Sequence, residues 1–334
     1  MNSNTFNLAA ALVSLKTSNP NQLHLILHAA VDQVNIPAAR QLMDAGADPD
    51  FKNQKGDTSL HIAVRTCRMD LARLVIDRGA TLDVRDNLGS TALHTAAHSS
   101  MDIAKLLIAK GATLDVRNNS GNTALHVAAG NDRIDIAKLL IGKGATLDVP
   151  NSDGDTALHM VAHNGNTALA KLLIAKGAAL DALNNSGDTA LHVAVRSRRM
   201  DLVRLLIDSG AALDALNNSG NTALHVAAYS SIDIAKLLID RGATLDVPNS
   251  DGNTALHVAA RNRRIDVVKR LVKKGARPDV LNRYGTTALE IAVSLGESEI
   301  ADVRRRSSPA IPFGAKRPTT QSSVPAIRAA LGLK

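Results

Sequence analysis

The sequence predicts an all-α array of stacked helix–turn–helix units, and three observations carry that prediction. The tetrapeptide Thr-Ala-Leu-His stands at residues 91–94, 123–126, 156–159, 189–192, 222–225 and 254–257, with variants at Thr58-Ser59-Leu60-His61 and Thr287-Ala288-Leu289-Glu290. Its last positions (61, 94, 126, 159, 192, 225, 257 and 290) lie 32 or 33 residues apart, a period that marks supersecondary units in contact only with their neighbours. Apolar residues recur at helical spacing after each copy. The aromatic residues are only Phe6, Phe51, Tyr229, Tyr284 and Phe313, so the core must be built from thin helices rich in Ala, Leu, Ile and Val.

One unit shows how each element arises. In Asp86-Asn87-Leu88-Gly89-Ser90-Thr91, the polar pair before Gly89 makes a tight turn, and Gly supplies a positive φ. Thr91 is placed as a helix cap, its hydroxyl close to an orphan backbone donor. A second helix follows over Met101-Asp102-Ile103-Ala104-Lys105-Leu106-Leu107-Ile108, and Gly111 stands where a left-handed residue would end it. Equivalent glycines are Gly46, Gly79, Gly144, Gly177, Gly210, Gly242 and Gly275.

A turn, then Gly-x-Thr-x-Leu-His, two antiparallel helices and Gly-Ala-x-Leu-Asp: this order resembles the ankyrin repeat family over about residues 24 to 303. The resemblance implies an ankyrin-repeat solenoid of about nine units including caps, with short β-turn or hairpin loops. It implies that turns and first helices line a concave side, that the motif His bonds to Thr and to backbone, and that the repeats bind protein. Two departures stand out. Ala replaces the family's usual Pro after Thr, and Cys67, Asp132, Arg198 and Arg263 replace the usual Gly between the two helices, which predicts softer repeats than the consensus.

The ends are read as caps. Leu25-Ile26-Leu27-His28-Ala29-Ala30 lies one period before His61 without the Gly-x-Thr entry, and Glu290 replaces His in the last unit. The expected organisation is a leader over residues 1–23, one array over 24–303 and a basic tail over 304–334. A longer period of 131 residues carries His61 to His192, His94 to His225 and His126 to His257, and maps Arg65, Met69 and Asp70 onto Arg196, Met200 and Asp201. It preserves which two repeats are one residue short, as duplication of a four-unit block would.

Because stacking fixes the apolar positions, partner information belongs at exposed ones. Four residues after the motif His the sequence runs Arg65, His98, Gly130, His163, Arg196, Tyr229, Arg261, Ser294. Arg196, Tyr229 and Arg261, with Arg283 and Tyr284 on the last turn, are the expected contact residues, since Tyr and Arg dominate interface hot spots; the alternative is drift at a tolerant solvent position. Arg68, Arg198, Arg199, Arg263 and Arg264 extend a basic surface that favours an acidic peptide or the acidic face of a folded protein. Nucleic acid is the disfavoured partner, with no recognised binding motif and few stacking aromatics. The expected oligomeric state is a monomer.

Chemistry is not predicted. Cys67 is the single cysteine, which rules out an intrachain disulfide, and no phosphate loop, nucleophile elbow or His-Glu-x-x-His is present. His94 with His98, and His159 with His163, have a chelating i, i+4 spacing but no third ligand. No catalytic residue, cofactor or metal is assigned.

The tail holds Arg304, Arg305, Arg306, Lys316, Arg317, Arg328 and Lys334 and no acidic residue, so seven charges of the formal +8 lie there. Its Pro, Ser and charge content predicts disorder, with a short helix over residues 324–333. It is compatible with a bipartite nuclear import signal, with phosphoserine docking at Ser307, with a bacterial effector's secretion signal, or with a solvated extension that carries no address. Residues 1–23 read as no signal peptide, and no apolar stretch reaches bilayer length. The expected location is cytoplasmic, with nuclear entry or delivery into a host cell as alternatives. Two further readings remain beside the binding scaffold: an effector of the same fold that captures a host protein, and a nucleic-acid or chromatin adaptor that works through the tail.

Overall fold

The computed structural model describes residues 20–294. Among them stand seventeen helices and no strand. The packing divides the chain into two compact units that meet in sequence between Asn218 and Ser219. The tail and its four readings lie outside the described residues, as do residues 1–19. The first helix begins at Pro20, a few residues before the expected start of the array.

The first unit holds α1 (Pro20–Asp32), α2 (Ile36–Asp44), α3 (Ser59–Arg65), α4 (Met69–Asp77), α5 (Ala92–Ser99), α6 (Met101–Ala109), α7 (Ala124–Gly130), α8 (Ile134–Gly142), α9 (Ala157–Asn164), α10 (Thr167–Ala175), α11 (Ala190–Arg196) and α12 (Met200–Asp208). The second holds α13 (Ala223–Ser230), α14 (Ile232–Asp240), α15 (Ala255–Arg261), α16 (Ile265–Lys273) and α17 (Ala288–Ser294). Odd-numbered helices pack on odd and even on even within each unit, and each odd helix packs on the even helix that follows it where there is one. The buried layer consists of Leu, Ile, Val and Ala, with the Ala of Thr-Ala-Leu-His fully enclosed at Ala92, Ala157 and Ala223.

The Thr-x-x-His motif is a helix cap fused to a bridge between repeats. Thr123 has extended φ and ψ of −87° and 171° at the N-cap of α7. Its backbone N–H donates to His126 Nδ1 at 3.2 Å, and its hydroxyl lies 2.9 Å from the same nitrogen. With Nδ1 accepting, the neutral ring carries its proton on Nε2, which donates to the Asp155 carbonyl of the next repeat at 3.0 Å. The same pattern joins His61 to Ser90, His94 to Asn122, His159 to Asp188, His225 to Asn253 and His257 to Thr286. Glu290 keeps the capping half alone, accepting from the Thr287 N–H at 2.8 Å and its hydroxyl at 3.0 Å. A carboxylate has no proton to donate onward, which suits the last described repeat.

Glycine is required for two different reasons. Gly111, at φ +94°, ends α6 with the Ala112 N–H bonded to the Leu107 carbonyl, and a Cβ there would meet no atom within 4 Å; the backbone conformation alone demands it. Gly121, at φ +72°, sits at a turn tip where a Cβ would stand 2.6 Å from the Ser152 nitrogen of the next turn. Successive tips are joined there by single backbone bonds such as Ser152 N–H to Ser120 carbonyl, 2.9 Å. Each loop also closes on itself, the Gly121 N–H donating to the Asn118 carbonyl and the Asn118 N–H to the Asn122 carbonyl, both at 2.9 Å.

The helix–helix turns explain the 32-residue repeats. Cys67, Asp132, Arg198 and Arg263 lie at φ +54° to +60°, and so does Val34 at +61°, which the sequence pattern does not reveal. In the two short repeats this left-handed residue is deleted. Ser100 and Ser231 adopt extended φ of −137° and −155° and end one helix while their hydroxyls cap the next, accepting from the Ile103 and Ile234 N–H groups.

Candidate protein-binding surface

The register position four residues after the motif His falls at the C-terminal end of each odd helix from α3 onward. It is exposed at Arg65, His98, His163, Arg196, Tyr229, Arg261 and Ser294 and half-buried at Gly130. Exposure does not make these side chains equivalent. In the first unit Arg65 and Arg196 reach back eight residues to Asp57 and Asp188, buried carboxylates just before the capping threonines. The Arg196 guanidinium donates to Asp188 Oδ2 at 2.6 Å while Asn217 donates to Oδ1 at 2.8 Å. Arg196 therefore neutralises a carboxylate inside the fold, a job its expected role in a partner contact does not include. The signal was present in the sequence: Gly-Asp-Thr precedes the two arginines, whereas Gly-Asn-Thr stands at Asn122, Asn221 and Asn253.

In the second unit the corresponding residues have no such anchor. Tyr229 is 60% exposed and Tyr284 is 73% exposed, on the end of α13 and on the turn before α17. Arg261 ends α15, and Arg283 precedes Tyr284. Among the described residues, none of these four side chains has a hydrogen bond or ion pair. What is held is the backbone beneath them: Arg264 Nε donates to the Tyr229 carbonyl at 3.1 Å, and the Arg283 N–H donates to the Asp251 carbonyl at 2.9 Å. Residues 219–294 carry eleven basic and seven acidic side chains, so Arg261 and Arg283 add to a local positive excess.

The turn arginines do not all extend this surface. Arg68 pairs with Asp70 at 3.1 Å. Arg199 Nε donates to the His163 carbonyl at 3.1 Å, as Arg264 does to Tyr229, and Arg133 reaches the His98 carbonyl at 3.0 Å. Each places a cation on an orphan carbonyl at a helix C-terminus, where the helix dipole favours it.

The paired histidines cannot chelate as their spacing suggests. His94 and His159 have both ring nitrogens engaged, Nδ1 with Thr91 and Thr156 and Nε2 with the Asn122 and Asp188 carbonyls. Among the described residues no group of three His, Cys, Asp or Glu side chains could hold a metal ion, and no helix is long and apolar enough to cross a membrane. Burial lowers the pKa of His94, His126 and His257, which keeps these rings neutral and structural.

A family model described as ankyrin repeats, three copies long, matches residues 3–86, 25–118, 82–151, 125–217, 158–249 and 241–303 in overlapping placements. No curated protein matches the chain.

Proposed function

The chain belongs to the ankyrin repeat family, whose repeats generally serve as protein–protein interaction modules, and on that premise we propose that it is a non-catalytic binding scaffold whose contact surface lies on Tyr229, Arg261, Arg283 and Tyr284. One observation carries the reading: four side chains of the types that dominate interface hot spots are exposed in one unit, and no bond within the described fold occupies any of them. The backbone that presents them is already tied down, so little ordering cost falls on binding. The basic excess selects an acidic peptide or an acidic protein face.

The test is affinity capture from lysate with three full-length baits: the intact chain, a Tyr229→Ala, Arg261→Ala, Tyr284→Ala variant, and Arg65→Ala as a control. The expected result is one protein retained by the intact chain and the control, lost with the triple variant, and released by moderate salt. Retention by the triple variant would sink the assignment. A capture abolished by nuclease would favour a nucleic-acid adaptor instead.

A further inference from the structure

In the first unit the exposed face of the even-numbered helices changes its charge from one repeat to the next. Counted from the helix start, exposure recurs at the second, fifth, ninth and tenth positions: Asp135, Lys138, Gly142 and Lys143 on α8, Ala168, Lys171, Ala175 and Lys176 on α10. This i, i+3, i+7, i+8 spacing puts them on one side of each helix. The fifth position is a cation throughout, as Arg73, Lys105, Lys138, Lys171 and Arg204.

What varies is the acid. At the ninth position Asp44 and Asp77 hold the tenth-position cation of the next repeat, Asp44 pairing with Arg78 and Asp77 with Lys110 at 3.0 Å. The ladder then stops, because Ala109 and Gly142 stand where Lys143 and Lys176 would need an aspartate. At the second position Asp102 lies 3.6 Å from Lys105, Asp135 faces Arg133 at 3.9 Å, and Ala168 leaves α10 with no acid. Among the described residues, Lys138, Lys143, Lys171 and Lys176 therefore have no side-chain hydrogen bond or ion pair. Asp201 and Asp208 return on α12, so the excess belongs to α8 and α10, which pack on each other. Lys138 and Lys143 are about 7.5 Å apart in helix rise, and packed helices lie roughly 8–10 Å apart. Four unpaired cations thus share a patch about one Debye length across, and their potentials add.

We infer that this face docks on an anionic bilayer surface, lying on the membrane without entering it, independently of the contact surface on the second unit. Charge complementarity calls for an anion, and composition chooses among anions. Protein interfaces concentrate Tyr, Trp and Arg and are depleted in Lys, whereas α8 and α10 hold no aromatic residue and no Arg. They hold no Ser, Asn or Gln to read a base edge, and the Thr167 hydroxyl is turned to the Gly165 carbonyl. Lysine is a point charge on a flexible stem, and fluid headgroups move to meet it without a fixed register. Between the lysines stand only Gly142, Ala168 and Ala175, too small to hold them off a flat surface. Each lysine at such a surface strengthens binding about fivefold.

The test is flotation of the full chain with vesicles of phosphatidylcholine alone or with about 30% phosphatidylserine, at low salt. One variant combines Lys138→Gln, Lys143→Gln, Lys171→Gln and Lys176→Gln. A second, Ala109→Asp with Gly142→Asp, continues the acid ladder and keeps every lysine; a Cβ at Gly142 meets no atom within 4 Å. A charge-matched control combines Arg304→Gln, Arg305→Gln, Arg306→Gln and Lys316→Gln. The intact chain should float with the anionic vesicles only and the control should stay within about threefold of it, while the first variant binds at least about tenfold and the second at least about fivefold more weakly, all with unchanged circular dichroism. Flotation on neutral vesicles, no flotation, or a loss with the control as large as with the lysine variant would overturn the inference. So would a lysine variant that floats like the intact chain, and if that variant alone fails to shift duplex DNA, the face belongs to nucleic acid.

Discussion

At the scale of single residues, the same side chain type has opposite meanings in the two units. Arg196 is half-exposed, yet its charge is committed to Asp188, a carboxylate almost wholly withdrawn from water. Truncating it leaves that carboxylate with the Asn217 amide as its remaining side-chain donor. Arg196→Ala should therefore cost about 1–2 kcal/mol, the lower end of the roughly 1.5–3 kcal/mol for hydrogen bonds to charged groups reduced by the solvent screening of a half-exposed guanidinium, whereas Arg261→Ala should change stability by less than about 0.5 kcal/mol, as unanchored surface substitutions do. Adding Asp188→Asn to Arg196→Ala should recover most of the loss, because Asn fills this position in neighbouring repeats without a paired arginine. Urea midpoints of the three variants decide the matter; equal losses for Arg196→Ala and Arg261→Ala would remove the distinction. This contrast was only half legible in the sequence. A period lines up Arg65, Arg196 and Arg261 as equals, and the difference lies in the Asp or Asn eight residues earlier, outside the window in which helical neighbours are usually sought.

At the scale of elements, the caps and terminators could be read because eight copies of the motif repeat them, and Thr91, Gly89 and Gly111 do what the spacing predicts. The N-terminal cap repeat was opaque for the converse reason. It lacks the Gly-x-Thr entry, so nothing in the sequence placed Val34 at φ +61° or stacked the His24 ring on Phe51 at 4.8 Å. His28 occupies the motif position there, but Leu25 replaces the capping threonine, and both of its buried ring nitrogens lack a hydrogen-bond partner. The left-handed turn residues make a prediction of their own. The side chain of Arg198, at φ +55°, has no hydrogen bond or ion pair among the described residues, while its backbone N–H donates to the Val195 carbonyl at 3.1 Å, and a non-Gly residue in this region is held there by its surroundings. Arg198→Gly should raise stability by about 0.5–1 kcal/mol, the relief of strain outweighing the added freedom of the unfolded chain. A lower urea midpoint for this variant would show that the turn is unstrained. Ser100→Gly should show no such gain, because Ser100 is already extended and caps α6.

At the scale of the whole molecule, adjacent repeats within each unit are joined by the same two devices over and over, a turn rung and a histidine bridge, and the second of these is titratable. Where the two units divide was not legible, since Asn217-Asn218-Ser219 repeats Asn184-Asn185-Ser186 letter for letter. What the repetition does fix is the sign of the pH response. The rings of His94, His126 and His257 stay neutral: a proton on Nδ1 would face the N–H of the capping threonine, donor against donor. Burial lowers the folded pKa of His28, His94, His126 and His257 below the ordinary value near 6.5, so between the folded and unfolded values the unfolded chain binds more protons. Stability then rises with pH across that window. The contribution is present in full above about 6.5 and is lost as pH falls through the folded values, at up to about 1.4 kcal/mol per pH unit for each group. Three of these histidines lie in the first unit and one in the second, so urea unfolding followed separately in each should show the steeper acid loss for residues before Ser219. Substituting Gln for His126 should flatten that slope while lowering stability at pH 8, because the bridge to Asp155 is weakened at every pH but its proton-linked part is gone. A midpoint that does not move between pH 7.5 and 5.5 would mean that burial does not disfavour the charged form of these four histidines, and the neutral-bridge account would fail with it.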